Sequence, residues 1–259
     1  MKRTGRTRDA LLLLGLAAAG CRSGGALPPP APPAPPMSPS VAAPVRDARP
    51  MPEAIRWART SAEHRALYLQ VYAMATAQVE REAATRAAGT WAVVLDADET
   101  VLDNSSYQLE RARQGLPFDD ESWHAWTKRR EATPLPGAAA FLARVRELGG
   151  RIAIVTNRSL SECPDTEAVL QARALAHDAL LCKPEHGPSD KGPRFDAVAH
   201  GNTGTGLPPL EIVAFLGDNI YDFPGLSQAI REQDDSAFGA FGRRFFLFPN
   251  AMYGSWERN

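Results

Sequence analysis

No two cysteines form a CxxC pair, and the three present, Cys21, Cys163 and Cys182, are too scattered to frame a zinc site. The five histidines show no metal-ligand spacing either. An excess of charge of one sign is also missing. With a formal net charge of -1, bulk electrostatics gives no reason to expect a nucleic-acid polymer as partner. The apolar run near the start, Leu11 to Gly20, is too short to span a bilayer core of about 30 Å. What the chain does have is 259 residues, 44% of them hydrophobic, enough for one good-sized domain with extra segments.

Those extra segments come first. Lys2, Arg3, Arg6 and Arg8 precede the short apolar run, as in a signal peptide. The run ends Ala18-Ala19-Gly20-Cys21, which resembles a bacterial lipobox. On that reading residues 1–21 are a leader and Cys21 is the lipidation site. The protein would then be exported and lipid-anchored in the cell envelope, at the outer membrane, its acyl chains holding it to the membrane. The alternative is an ordinary signal peptide with an incidental cysteine. Residues 22–52, with "LPPPAPPAPP", carry no core-forming pattern and read as a polyproline-rich tether.

From residue 53 to 259 the pattern is that of a folded domain. Pro52 to Ala88 is helical, with Ile55, Leu67, Val71 and Met74 at helical intervals, and a break near Thr60 would make Ser61 an N-cap. Apolar runs follow at Trp91, Arg151, Ala179, Glu211 and Arg243. They are continuous rather than alternating, which implies strands buried on both faces. Helical stretches lie between them, such as "PGAAAFLARVRELGG" from Pro136, with Pro at its start and Gly at its end. This alternation predicts an α/β fold, a parallel sheet in a three-layer Rossmann-like arrangement. The stretch from about 103 to 135 does not fit one crossover. With Tyr107, Phe118, Trp123 and Trp126 it reads as a small helical cap inserted after strand one.

The chemistry gathers at the strand ends, where ligands bind in such sheets. Strand one runs into Asp96, Asp98 and Glu99, with Asp103 close behind as a turn cap beside Asn104. Strand two ends in Thr156, Asn157 and Arg158, and strand four in Asp218 and Asp222. Lys191 or Lys183 follows strand three. Carboxylates this close repel one another unless something cationic sits among them. Acids, a hydroxyl and a lysine suit a phosphoryl group held by a hard cation such as Mg²⁺.

"DADET" resembles the nucleophile motif of haloacid dehalogenase superfamily phosphatases, and "IVTN" and "GDNIYD" resemble two further motifs of theirs. "LDADETVLDNSSYQ", with "TSAEHRALYLQVY" before it and "PNAMYGSWE" after it, is similar to a narrower family. These are the outer-membrane lipoprotein (class C) acid phosphatases, or lipoprotein 5′-nucleotidases. The resemblance implies a Mg²⁺-dependent phosphomonoesterase in which Asp96 is the nucleophile and forms an aspartyl-phosphate. Asp98 would be the acid and base, its backbone carbonyl also a metal ligand. Asp218 would complete the metal ligands, and Asp222 would orient the lysine or hold a metal-bound water. Thr156 and Lys191, favoured over Lys183 because "DKGPRF" fits the family string, would contact the phosphoryl group. Asn157 and Arg158 are placed with the substrate. Tyr107, Trp126 and Tyr253 would stack on a base or aryl ring, while Trp123 is read as cap core. The partners implied are small phosphomonoesters, nucleotides and aryl phosphates, with a homo-oligomer left open.

Competing readings are a broad acid phosphatase without base preference and a non-catalytic surface lipoprotein on the same fold, which the intact Asp96 argues against. Cys163 follows strand two and Cys182 ends strand three, near one sheet edge. In an oxidising compartment they could form a disulfide or remain separate thiols.

Overall fold

The computed structural model describes residues 50–258. The leader, Cys21 and nearly all of the proline-rich segment lie outside the described residues. Among the described residues no helix is long and apolar enough to cross a membrane.

Helix α1 (Glu53–Thr60) stops at Ser61, whose hydroxyl accepts from the backbone N–H of His64 and so caps α2 (Ala62–Ala83). The buried face of α2 is not the expected one. Leu67 and Met74 are exposed, and the helix buries His64, Tyr68, Tyr72, Ala75 and Val79 instead. The tyrosine rings supply the apolar area, Tyr68 stacking on Phe248 at 4.9 Å between centroids. Their hydroxyls avoid a desolvation cost by donating to the carbonyls of Glu99 at 2.6 Å and Thr100 at 2.7 Å. Helix α2 therefore fixes the loop that follows strand β1 (Trp91–Leu95).

That loop leads into β2 (Leu102–Asp103), α3 (Ser105–Gln114), α4 (Asp120–Arg129) and β3 (Thr133–Pro134). β2 and β3 pair antiparallel, Leu102 opposite Pro134 and Asp103 opposite Thr133, and close the inserted cap at its base. The chain then continues through α5 (Ala138–Glu147), β4 (Arg151–Ser159), α6 (Cys163–Ala172), β5 (Ala179–Lys183), α7 (Gly192–Ala199), β6 (Glu211–Gly217) and β7 (Phe245–Leu247).

The main sheet has the order β5-β4-β1-β6-β7, with every pair parallel. All carboxyl ends therefore share one edge. Each face carries its own core. Tyr72, Phe141 and Leu170 pack on one side, and Phe195, Val198 and Phe223 on the other, which makes three layers. β1 is central and buried at every position, so its end delivers Asp96 to the middle of the edge. Cys163 and Cys182 are joined in a disulfide with Cα atoms 6.0 Å apart, tying the start of α6 to the end of β5. A loop of that size stabilises by about 3 kcal/mol in the chain-entropy account.

Candidate active site

Asp96 is the first residue after β1, and its backbone N–H still bonds the carbonyl of Leu216 on β6 at 2.9 Å. Its carboxylate is nearly buried and meets Lys191 Nζ at 2.5 Å. Lys191 comes from the turn that opens α7, and the same ammonium reaches Asp222 at 2.7 Å. Burial works against the Lys191 charge, but Asp222 and Asp96 outweigh it and hold the ammonium above its ordinary value. Lys183, at the end of β5, pairs with Ser159 in the sheet register instead.

Asp222 sits in a 3₁₀ turn at Ile220–Asp222 rather than one α-helical turn beyond Asp218. It folds back because the backbone N–H of Asn219 donates to its Oδ2 at 2.9 Å. Gly217 makes room for it, since a Cβ there would lie 2.3 Å from the Asp222 Cβ. Asp218 receives a neutral donor, Asn250 Nδ2 at 2.8 Å. One ligand atom from each of Asp96, Asp218 and Asp222 lies within 4.8 Å of the others.

This cluster is short of positive charge. Burial pushes the Asp96 carboxyl up to about 7 despite Lys191, with Asp222 and Asp98 adding to the rise. Burial, then Asp222 and Asp96, raise Asp218 well above the carboxylate range. An all-oxygen set of hard anions with unrelieved repulsion is the donor chemistry that a divalent cation fits.

Asp98 lies beside this group and is gripped from two directions. Arg158 reaches Oδ1 through Nη2 at 2.7 Å and through Nε at 3.0 Å, and Oδ2 through Nε at 3.2 Å. Asn104 Nδ2 donates to Oδ1 at 2.8 Å. Arg158, placed with the substrate from the sequence, therefore presents no open guanidinium to it. It is 2% exposed and its charge is committed to Asp98.

Thr156 and Arg158 alternate with Asn157 along β4, and so share a buried face while Asn157 is exposed. The Thr156 hydroxyl accepts from the Arg158 N–H at 3.1 Å, which leaves its hydrogen to donate. Arg194 holds this segment from α7, donating to the Thr156 carbonyl and, at 2.7 Å, to Asn157 Oδ1.

The aromatic expectations need correction. Tyr107 and Trp126 are almost fully buried and pack on each other with centroids 6.2 Å apart. Neither offers an open ring face. Their polar tips are satisfied inside the cap, Tyr107 by Ser122 Oγ at 2.9 Å and Trp126 by Asn104 Oδ1 at 2.8 Å. Trp123, expected in the cap core, does pack against it, edge-on to Tyr107 at 5.1 Å between centroids, though it is only partly buried and the Arg158 guanidinium lies over its ring at 5.4 Å. Tyr253 is also half-buried, and its hydroxyl donates to Glu99 Oε2. Asp103 accepts from the Ser105 N–H at 2.7 Å and serves as a turn cap outside the acid cluster.

Arg194 and Asn250 escaped the sequence reading, and Asn104 and Glu99 entered it only as part of a turn cap and of the acid run. Each acts through another side chain or through the backbone. Only Glu99 carried a signal, as one acid more than a turn needs. It is buried at a positive φ of 49°. Burial, then Asp98 and Asp218, raise its carboxyl well above the usual range.

Comparison with known proteins agrees with this geometry. The model of the HAD superfamily, subfamily IIIB (acid phosphatase), matches residues 38–256. A structure of the class C acid phosphatase from Bacillus anthracis is 32% identical, with 79% of this chain and 85% of that one covered and a TM-score of 0.69. A structure of the class C acid phosphatase from Bacillus anthracis with tungstate bound matches with the same 32% identity and TM-score of 0.69. With a matching model that runs from before α1 to the last turn, and an acid cluster at the edge where the fold places its ligands, the chain belongs to the class C acid phosphatases of HAD subfamily IIIB and is a phosphomonoester hydrolase.

Proposed function

We propose that this enzyme cleaves phosphomonoesters in two steps through a phosphoryl group carried on Asp96, with Mg²⁺ as its metal. The observation that carries the reading is the acid set Asp96, Asp218 and Asp222, with buried Asp96 and Asp222 both paired to Lys191 and Asp98 held beside them. Asp96, Asp218 and the backbone carbonyl of Asp98 would hold the cation, with Asp222 behind them. When bound, the ion supplies Lewis-acid stabilisation of charge on the phosphoryl oxygens.

The Asp96 carboxylate attacks phosphorus as the ester P–O bond breaks. Asp98 gives the leaving oxygen its proton. Water then attacks the aspartyl-phosphate, Asp98 takes the proton from that water, and inorganic phosphate leaves with Asp96 restored. Lys191 and the Thr156 hydroxyl donate to the phosphoryl oxygens and stabilise the charge they gain.

The substrates on this reading include 5′-nucleotides and aryl phosphates. Support comes from two half-buried rings: Trp123 of the cap, under the Arg158 that grips Asp98, and Tyr253 of the tail, bonded to Glu99. Tungstate, a phosphate-like oxyanion, is bound in one of the Bacillus anthracis structures. Export with a lipid anchor at Cys21 is part of the same proposal, and the Cys163–Cys182 disulfide suits an oxidising compartment.

The test is partition. With an alcohol added as a second acceptor, a common phosphoryl-enzyme must divide its phosphoryl group between water and alcohol in one ratio for every ester. A ratio that changes with the leaving group contradicts the covalent step. Activity that survives exhaustive chelation contradicts the metal.

A further inference from the structure

The acid that protonates the leaving group is not held by the sheet alone. Asn104 opens the cap, at the boundary between β2 and α3, and is fully buried. Its amide orientation follows from its partners. The indole Nε1 of Trp126 can only donate, and so can the guanidinium of Arg158. Both point at one atom of the amide, at 2.8 Å and 3.2 Å, so that atom is the oxygen. The nitrogen is therefore the atom that faces Asp98, at 2.8 Å. A carboxylate accepts there, which completes the set without conflict.

The consequence falls on Asp98. Its Oδ1 takes three donors, Asn104 Nδ2 and two nitrogens of Arg158, while Oδ2 takes only a 3.2 Å contact from Arg158 Nε. Oδ1 is saturated by those donors and Oδ2 is the freer oxygen, while the carboxyl plane is fixed by the fork and the amide together.

We propose that Asn104 is a positioning residue that makes leaving-group protonation depend on the cap: Trp126 locks the Asn104 amide, and the amide ties down Asp98 Oδ1 so that Oδ2 is the oxygen left to meet the ester. This rests on the two-step phosphatase reading above. In the first step the Oδ2–H bond breaks, its proton goes to the ester oxygen, and the P–O electron pair leaves with that oxygen.

Such a role has a signature that a purely structural one lacks. An ester whose leaving oxygen is a poor leaving group needs the proton, whereas one that departs as a stable phenolate needs it little. The experiment compares kcat/KM for glycerol phosphate and p-nitrophenyl phosphate in wild type, Asn104→Ala and Trp126→Phe. kcat/KM is the right quantity because it reports steps up to phosphoryl transfer, before water attacks.

Asn104→Ala is expected to lower kcat/KM for glycerol phosphate by about tenfold to a hundredfold, part of the 10²–10⁴ typical of a positioned proton donor. The loss for p-nitrophenyl phosphate should stay within about threefold, as suits a leaving group that needs little protonation. Trp126→Phe keeps an aromatic ring in the cap and removes the N–H together with part of the indole. It should show the same split, smaller in size, and it stands in if the alanine variant does not fold. Equal losses on both esters in the folded variants would overturn the role of Asn104 while leaving the phosphatase reading intact. A wild type that turned over neither ester would overturn that reading, and this proposal with it.

Discussion

The floor of the site and the cap above it bury polar groups by opposite rules. In the cap, the tips of Tyr107 and Trp126 each have a partner, Ser122 and Asn104, and the rings pack on one another. On the floor, Asp96, Asp218 and Asp222 crowd together, with Lys191 touching only two of them. Burial and mutual repulsion raise Asp96 and Asp218 above the carboxylate range. The cap is organised for stability. The floor is organised against its own stability, and that tension is what makes it fit to receive a cation and a phosphoryl group.

Breaking the floor's chemistry should give the largest effect. Asp96→Asn keeps the shape and removes the carboxylate proposed to attack phosphorus, so kcat should fall on the order of 10⁴-fold or more. The variant's mass must be checked for deamidation. Near-normal turnover in amide-intact protein would remove Asp96 from its role.

The floor's cost in stability can be read directly. Asp218→Asn removes the cost of ionising a carboxyl beside Asp96 and Asp222, so the assay is run above the raised range of Asp218, and the amide can still accept from Asn250. In chelator it should raise Tm, by roughly 2–4 °C if about 1 kcal/mol of repulsion is relieved. Saturating Mg²⁺ should reverse the order. Wild type gains about 2.7 kcal/mol at a hundredfold excess over Kd, and the variant gains far less. A variant less stable than wild type in both conditions would mean that the floor is not strained.

The two regions also differed in how readable they were. The sheet was legible because strands buried on both faces leave unbroken apolar runs such as Trp91–Leu95. The acids were legible because no turn needs so many. α2 was misjudged, since Tyr68 and Tyr72 bury rings while spending their hydroxyls on backbone carbonyls, and a pattern of aliphatic residues points to the neighbouring face. Asn104, Arg194 and Asn250 act through other groups, and an amide or guanidinium in a sequence does not announce its partner. Trp123 and Trp126 stand three apart on α4, so they project to adjacent parts of one helix surface. Which of them lies deeper in the core depends on how the helix is rotated, and tertiary packing decides that.

That rotation sets the next prediction. Trp126→Ala opens a cavity among Tyr107, Asn104 and the cap core, and should cost about 3–5 kcal/mol of stability. Its effect on a nucleoside 5′-phosphate and on glycerol phosphate should be alike, because both leave as alkoxides and the ring has no open face. A selective loss on the nucleotide at unchanged stability would return Trp126 to the substrate.

The smallest effect is the one that sharpens the comparison most. The acid floor reads only the phosphate, so any preference for a ring must come from the cap and the tail. Trp123 is the ring of α4 that is only partly buried, and it lies under the guanidinium that grips Asp98. Removing it takes away a ring that packs on Tyr107 at the edge of the cap core, and should cost less stability than Trp126→Ala. If a base stacks on it, Trp123→Ala should cost about 1–3 kcal/mol of binding, seen as a rise in KM for the nucleoside 5′-phosphate. Glycerol phosphate offers no ring and should be nearly unaffected. Comparing these two esters holds the leaving group constant, so the result is separate from any disturbance of Asp98 protonation. Equal and small changes on both would mean that the cap does not select for rings, and that the enzyme is a broad phosphomonoesterase whose cap serves to position its acid.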